Sequence, residues 1–221
     1  VVVSHAKSGR TWLATMLGAY ERATGTSLGV FFTHDNYIRD RRTLDSRPWH
    51  AAKRLVLLVR DPGDVMVSFY YHWQHRMKPG KHWINDYPTG PLGLYEFAMH
   101  PRTGLPNLIA FMNRLAVETS GRDDVLRVRY EDLRSAPEAG LARLIRFVAG
   151  AADMAAVQAA IDYGSFQNMQ RLERDNATDP RAPMRLKPGD ANNPQSFKVR
   201  SGRVGGYRES FTPEQVAVID A

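Results

Sequence analysis

This chain of 221 residues contains no cysteine. That excludes disulfides, thiolate metal sites and a cysteine nucleophile, and it fits a cytoplasmic protein. No apolar run approaches the roughly 18 residues that a membrane-spanning helix needs, so no span is expected. No signal peptide is visible. The chain opens without methionine inside what reads as a strand, consistent with a clipped start, so little weight rests on that lack. Neither H-x-x-x-H nor H-E-x-x-H spacing has support, and no metal is expected. No internal repeat or linker divides the sequence, so a single domain over residues 1–221 is expected.

What is present is ordinary in bulk: 43% hydrophobic and 24% charged residues, with a formal net charge of +7. A basic balance favours anionic partners. Short apolar runs at Val1–Ser4, Gly29–Thr33, Leu55–Val59 and Val125–Arg129 read as strands. Helical spacing follows over Trp12–Thr24, closed by Gly25, over Asp64–Gln74 with Asp64 as its N-cap, and over Pro137–Val148. Strands alternating with helices imply a P-loop-like α/β fold, a parallel sheet covered by helices on both faces. Residues 76–92 and 175–198 are rich in proline, glycine, asparagine and aspartate. Long connections of that composition read as flexible lids.

"SHAKSGRTWL", residues 4–13, joins the first strand to the first helix. Successive backbone N–H groups there can converge on one point, and a helix N-terminus adds roughly half a positive charge. Lys7 adds a full charge, Gly9 allows close approach, and the Ser8 and Thr11 hydroxyls can donate. This is an anion cradle. It is not the G-x-x-x-x-G-K-[ST] loop that grips a triphosphate, because the leading glycine and the terminal Gly-Lys pair are missing. A shorter cradle suits one phosphate carrying a transferable group. In "LVLLVRDPGDVMVSFYYHW", Arg60 ends a strand and Ser68 lies in the next helix. Ligands gather at the carboxyl ends of parallel strands, so these two can grip a second anion beside the first.

"AKSGRTW" (6–12), "VRDPGDVMVSFYYHW" (59–73) and "VRYEDL" (128–133) resemble the signature motifs of the PAPS-dependent sulfotransferases. PAPS, 3'-phosphoadenosine 5'-phosphosulfate, has two separate anionic ends, which matches two cradles. "YGSFQNM" (163–169) resembles the family's adenine-contacting segment, and "FKVRSGRVGGYRESFT" (197–212) its C-terminal R-K-G segment. The resemblance runs through nearly the whole chain in the expected order. It implies that Lys7, Ser8, Gly9, Arg10, Thr11 and Trp12 form the 5'-phosphosulfate loop. It implies that Trp12 and Phe166 sandwich adenine, that Arg60 and Ser68 hold the 3'-phosphate, and that Tyr130 lies near the nucleotide. Arg200, Ser201 and Gly202 stand at the R-K-G positions, which also reach the 3'-phosphate.

Transfer to a hydroxyl or amine needs a base, and histidine titrates nearest neutral pH. Of the 7 histidines, His34 in "VFFTHDN" follows a strand and matches the family's Thr-His pair. His5 lies on the cradle and is expected to shape it, while His72, His75 and His82 flank the first lid. Several positions depart from the family pattern. Phe32 stands where many members have a lysine two residues before the histidine, and Arg10 is expected to replace part of that charge. Ser201 replaces the R-K-G lysine, and Gly164 a threonine. Arg208 and Thr212 keep part of a small dimer motif, but Pro213 and Ala217 break it, leaving that route to a dimer in doubt.

The acceptor is open: a small molecule, glycan or lipid bearing a hydroxyl or amine. Tyr71, His72, Trp73, His75, Trp83 and Tyr87, with Arg76, Lys78 and Lys81, offer aromatic and cationic contacts. Two other readings remain. A P-loop nucleotide kinase would use Asp61 to hold magnesium. A nucleic-acid-binding protein would use the basic charge, but the cations are scattered and no recognition motif is present, so no nucleic-acid partner is expected.

Overall fold

The structure is a computed structural model that describes residues 1–34, 54–178 and 186–221. Its sheet contains strands β1 (Val2–Ser4), β2 (Phe32–Thr33), β3 (Leu55–Val59) and β4 (Val125–Arg129). The spatial order is β2-β1-β3-β4, and every pairing is parallel. Helix α1 (Arg10–Thr24) follows β1 and ends at Gly25, whose φ of 67° supplies the left-handed turn that closes a helix. After β3 come α2 (Pro62–His75), α3 (Pro79–Ile84), α4 (Leu94–Met99) and α5 (Leu105–Glu118). After β4 come α6 (Tyr130–Ser135), α7 (Pro137–Ala149), α8 (Met154–Tyr163), α9 (Phe166–Asp175) and α10 (Pro213–Asp220).

Alternate strand residues face opposite sides, and each side has its own apolar layer. Val2, Val56, Leu58, Leu126 and Val128 pack with Leu13, Met16 and Leu17 of α1, Leu141 and Leu144 of α7, and Val157 of α8. Val3, Leu55 and Leu57 face the other way, onto Phe111 and Leu115 of α5. Helices thus cover both faces, as expected. A third cluster joins Val65, Phe69 and Trp73 of α2 to Phe97 of α4, Tyr87, Tyr207 and Phe211. Every strand therefore runs toward one edge, where residues 5–9, His34, Arg60 and Tyr130 begin the connections.

Several boundaries differ from the sequence reading. The strand expected over Gly29–Thr33 is reduced to Phe32–Thr33, because its partner β1 is three residues long and offers only the pairs Val2↔Phe32 and Val3↔Thr33. Gly29 before it turns with φ 60°. Helix α2 is capped by Asp61, not Asp64. The Asp61 carboxylate accepts from the Asp64 N–H at 3.0 Å, and Pro62 occupies the first turn where a missing N–H costs nothing. Asp64 is buried inside the helix and accepts from the N–H groups of Gly205 (2.9 Å) and Tyr207 (3.1 Å).

Both expected lids carry structure. Residues 76–92 contain α3 and bury Tyr87 against Phe69. In the second, residues 179–185 lie outside the described residues. Its remaining part is clamped: Arg76 donates to the carbonyls of Ser196 and of Lys187 (2.6 Å).

Candidate active site

Residues 5–9 link β1 to α1 with two left-handed residues, Lys7 at φ 71° and Gly9 at φ 96°. Alternating backbone hands turn neighbouring N–H groups toward one point, which makes an anion-binding concavity. A left-handed lysine is strained, and such strain collects at binding sites. Glycine is required at position 9 twice over. Its φ is positive, and a Cβ there would lie 2.5 Å from the Tyr130 ring. Helix α1 then starts with no side-chain cap and no acidic residue in its first turn. Its positive end is left for a ligand.

A cavity of about 720 Å³ opens over this loop. Lys7, Gly9, Arg10, Thr11 and Trp12 line it from α1 and its loop, His34 from the end of β2, and Arg60 and Ser68 from β3 and α2. Tyr130, Phe166, Arg200, Ser201 and Gly202 complete it from the C-terminal half. The fold therefore gathers the expected donor-binding and catalytic residues except Ser8, which is buried and does not reach the cavity; of the acceptor-side candidates it brings in Tyr71, His72, Arg76 and Lys81 but not Trp73, His75, Lys78 or Tyr87.

Several of these side chains are held by contacts within the protein. The Trp12 indole donates to the Gly164 carbonyl at 2.8 Å. A side chain at position 164 would meet buried Met16 at 2.5 Å, which accounts for glycine there. The Arg60 guanidinium stacks 4.3 Å from the Tyr130 ring centre, donates to the carbonyls of Lys7 (3.3 Å) and Arg203 (3.1 Å), and lies 3.5 Å from Asp64. Arg60 thus braces the cradle as well as facing the cavity. The Tyr130 hydroxyl donates to the Gly202 carbonyl at 3.4 Å. Arg200 sits 4.0 Å over the Tyr71 ring.

The electrostatics are one-sided. Burial, then the charges of Lys198 and Arg76, hold the Lys7 amine well below the usual lysine range, with Glu173 opposing and Arg60 adding a little. The ring Nδ1 of His34 lies 2.8 Å from the Ser4 carbonyl. A carbonyl only accepts, so Nδ1 carries the hydrogen and Nε2 keeps its lone pair. Burial, and then Arg10, lower its pKa to about 4; Lys198 and Lys81 push the same way, against the Ser4 contact. His34 is therefore neutral at pH 7. His72, also at the cavity, is lowered to about 2 by burial and by Lys7, Arg76, Lys198 and Lys81. His5 lies beneath the loop, edge-on to Phe69 and Phe111, and burial lowers it to about 3.

Sequence reasoning missed Lys198 and Glu173 as parts of this centre and read Arg76 only as an acceptor-side cation. Lys198 donates to the Thr11 hydroxyl at 3.2 Å. Glu173, on α9 and fully buried, accepts from the backbone N–H groups of Lys198 (2.7 Å) and Val199 (2.8 Å) and from Arg76 (3.1 Å). The signal was the basic run "FKVR" beside an arginine already chosen. Among the described residues, no group of three or more His, Cys, Asp or Glu could hold a metal ion, and no helix is long and apolar enough to cross a membrane.

Comparison with known proteins converges on one family. Residues 40–221 match the sulfotransferase domain family. The chain is 24% identical over 199 residues to cytosolic sulfotransferase 7 of Arabidopsis thaliana, covering 86% of this chain but only 55% of that protein. In fold it is similar to mouse sulfotransferase SULT7A1 complexed with PAP, with a TM-score of 0.66 at 18% identity over 99% of this chain and 80% of that one. It is also similar to retinol dehydratase in complex with androsterone and inactive cofactor PAP, with a TM-score of 0.62 at 16% identity over 99% of this chain and 77% of that one. With its parallel sheet, its cradle and this match, the chain belongs to the sulfotransferase domain family.

Proposed function

We propose that this chain is a sulfotransferase that takes PAPS as donor and a hydroxyl or amine as acceptor, by in-line displacement. The observation that carries the reading is the meeting in one cavity of the Lys7 cradle and His34, whose ring is held through Nδ1 by the Ser4 carbonyl. The cavity also fits the donor's two anionic ends. Lys7, Thr11 and the start of α1 line it together with Arg60, Ser68 and Arg200, and so do Trp12 and Phe166. The PAP complexes of the two structural neighbours and the cytosolic plant relative support the donor and a cytoplasmic location.

Bound PAPS supplies an activated sulfuryl group on a phosphosulfate linkage. The residues of the chain do the rest. His34 Nε2 takes the acceptor's proton as the acceptor–sulfur bond forms. Lys7 stabilises the bridging oxygen, which keeps the electron pair of the breaking S–O bond. Its place ahead of Gly9 suits the first phosphate better than a distant γ-phosphate. Asp61, the residue a kinase would need for magnesium, caps α2 and is not part of the cavity wall.

Radiolabelled sulfate transfer from PAPS, screened across phenols, alcohols, amines, glycans and glycolipids, tests the reading. Transfer to at least one class without added magnesium is expected. Nucleotide-dependent phosphate transfer that requires magnesium would replace it with the kinase reading.

A further inference from the structure

We propose that Tyr71 is a positioning residue of the donor site: the face of its ring holds the Arg200 guanidinium ready for the 3'-phosphate, so that Tyr71 sets the preference for a 3'-phosphorylated nucleotide. The inference rests on the sulfotransferase reading above. It moves Tyr71 from the acceptor side, where the sequence puts it, to the donor side.

Tyr71 lies one turn past Ser68 on α2, and at a spacing of three residues the two share a face of the helix. Both line the cavity, as do Arg60 and Arg200. The guanidinium carbon of Arg200 sits 4.0 Å from the centre of the Tyr71 ring. Among the described residues, that guanidinium has no hydrogen-bond or ion-pair partner. Arg60 provides the contrast. It too lies over a tyrosine ring, but two carbonyls and Asp64 engage it as well. A carboxylate partner competes with a phosphate for the N–H donors of an arginine. A ring face attracts the cation without using any of them. Arg200 therefore keeps its whole fork for a bidentate phosphate contact.

The backbone is pinned on both sides of Arg200. The Val199 N–H donates to Glu173 (2.8 Å), and the Val199 carbonyl accepts from Gln170 (3.2 Å). The Gly202 carbonyl accepts from the Tyr130 hydroxyl at 3.4 Å. These contacts fix where the side chain of Arg200 begins, not where its long stem ends. The ring supplies that, and it is itself braced. It meets Tyr70 edge-on with ring centres 5.5 Å apart, and it stacks with His75 at 6.1 Å. The His75 ring nitrogen in turn lies 3.4 Å from the side-chain nitrogen of Asn193, on the segment that leads to Arg200. Ser201 and Gly202 carry no charge, so Arg200 is the one cation of these three residues. Holding it in place beforehand reduces the ordering cost of binding.

Calorimetry of Kd for PAP and for adenosine 5'-phosphate, which lacks the 3'-phosphate, tests the assignment. The ratio of the two reads the 3'-phosphate preference. In Tyr71→Leu the ratio is expected to fall about tenfold, as for loss of one desolvated cation–π contact, with the affinity for adenosine 5'-phosphate within about threefold of normal. Tyr71→Phe retains the ring and should retain the ratio. With Arg200→Met already present, Tyr71→Leu should change the ratio no further, because the two side chains act as one unit. If Tyr71→Leu loses its cooperative melt, Tyr71→Phe bearing successive ring fluorines keeps the shape while draining the negative face of the ring, and the ratio should fall stepwise. Equal losses for both nucleotides, a Tyr71→Phe protein as impaired as Tyr71→Leu, additive losses with Arg200→Met, or a ratio unmoved by fluorination would each overturn the assignment. A raised KM for the acceptor with an unchanged ratio would return Tyr71 to the acceptor side. If the unaltered chain does not prefer PAP to adenosine 5'-phosphate, the donor reading itself fails, a result distinct from all of these.

Discussion

His34 gives its Nδ1 hydrogen to the Ser4 carbonyl, 2.8 Å away across the β1–β2 edge. One backbone atom therefore sets the tautomer and aims the ring. The basic nitrogen is Nε2, and burial, with the charges of Arg10, Lys198 and Lys81 behind it, lowers its pKa. A base held this way should contribute to turnover and little to nucleotide binding. His34→Ala is expected to leave the PAP Kd nearly unchanged and to slow sulfuryl transfer by about 10²–10⁴-fold, the usual range for a lost general base. Calorimetry and labelled-sulfate transfer separate the two quantities. Near-normal turnover would move the role to His72.

The cradle is expected to tolerate no side chain at position 9. In Gly9→Ala a Cβ would meet the Tyr130 ring at 2.5 Å, and φ would stay at 96°. Strain of about 1–3 kcal/mol and displacement of Tyr130 should both lower stability and weaken PAP. Gly25→Ala is the control. Its φ is 67°, but nothing lies within 4 Å of the added carbon, so only backbone strain applies and PAP affinity should hold. Urea midpoints with and without PAP distinguish the two variants.

Glu173 is expected to matter far more than its distance along the chain from the cradle suggests. Glu173→Ala would leave Arg76 buried without its ion-pair partner and two backbone N–H groups without an acceptor. Breaking a buried pair from one side costs about 3–5 kcal/mol. Denaturant unfolding should show that loss, and limited proteolysis should cut first near residues 186–199.

The histidines predict acid sensitivity. His5, His34 and His72 have folded pKa values of about 3, 4 and 2, against about 6.5 in the unfolded chain. Between those limits the unfolded chain binds more protons, so stability is complete above pH 6.5 and is lost as pH falls toward the folded values. Each histidine contributes a slope of about 1.4 kcal/mol per pH unit in that window. Stability measured at pH 7.5 and 5.5 should differ strongly, and PAP binding near pH 6 should take up protons, since its charge favours the imidazolium. Equal stability at both pH values would mean that these rings are not buried neutral.

Local chemistry made much of this legible in the sequence. Leu55–Val59 is an apolar run between charges, and it forms a strand over those same residues. Gly25 after an amphipathic run marks the end of α1. In Asp61-Pro-Gly-Asp64 the expected cap is Asp64, and the structure uses Asp61. Proline at the first helical position decides for Asp61, while the N–H groups of Gly205 and Tyr207 claim Asp64. The second partner set lies far away in sequence and leaves no local trace. The same holds for Lys198 on Thr11 and for Glu173 under the C-terminal segment. Arg60 read as an anion ligand because it ends a strand, but its bond to the Lys7 carbonyl depends on a left-handed lysine that no spacing rule foresees.

Binding of PAP is the most direct test of the central claim that the cavity over Lys7 and Arg60 is a nucleotide site with two anion cradles. Differential scanning calorimetry with and without PAP reads it without knowledge of the acceptor. At about 100 times its Kd, PAP should stabilise the fold by roughly 2.7 kcal/mol and raise Tm, and analogues lacking the 3'-phosphate should do so less. No rise in Tm at saturating PAP would contradict the account.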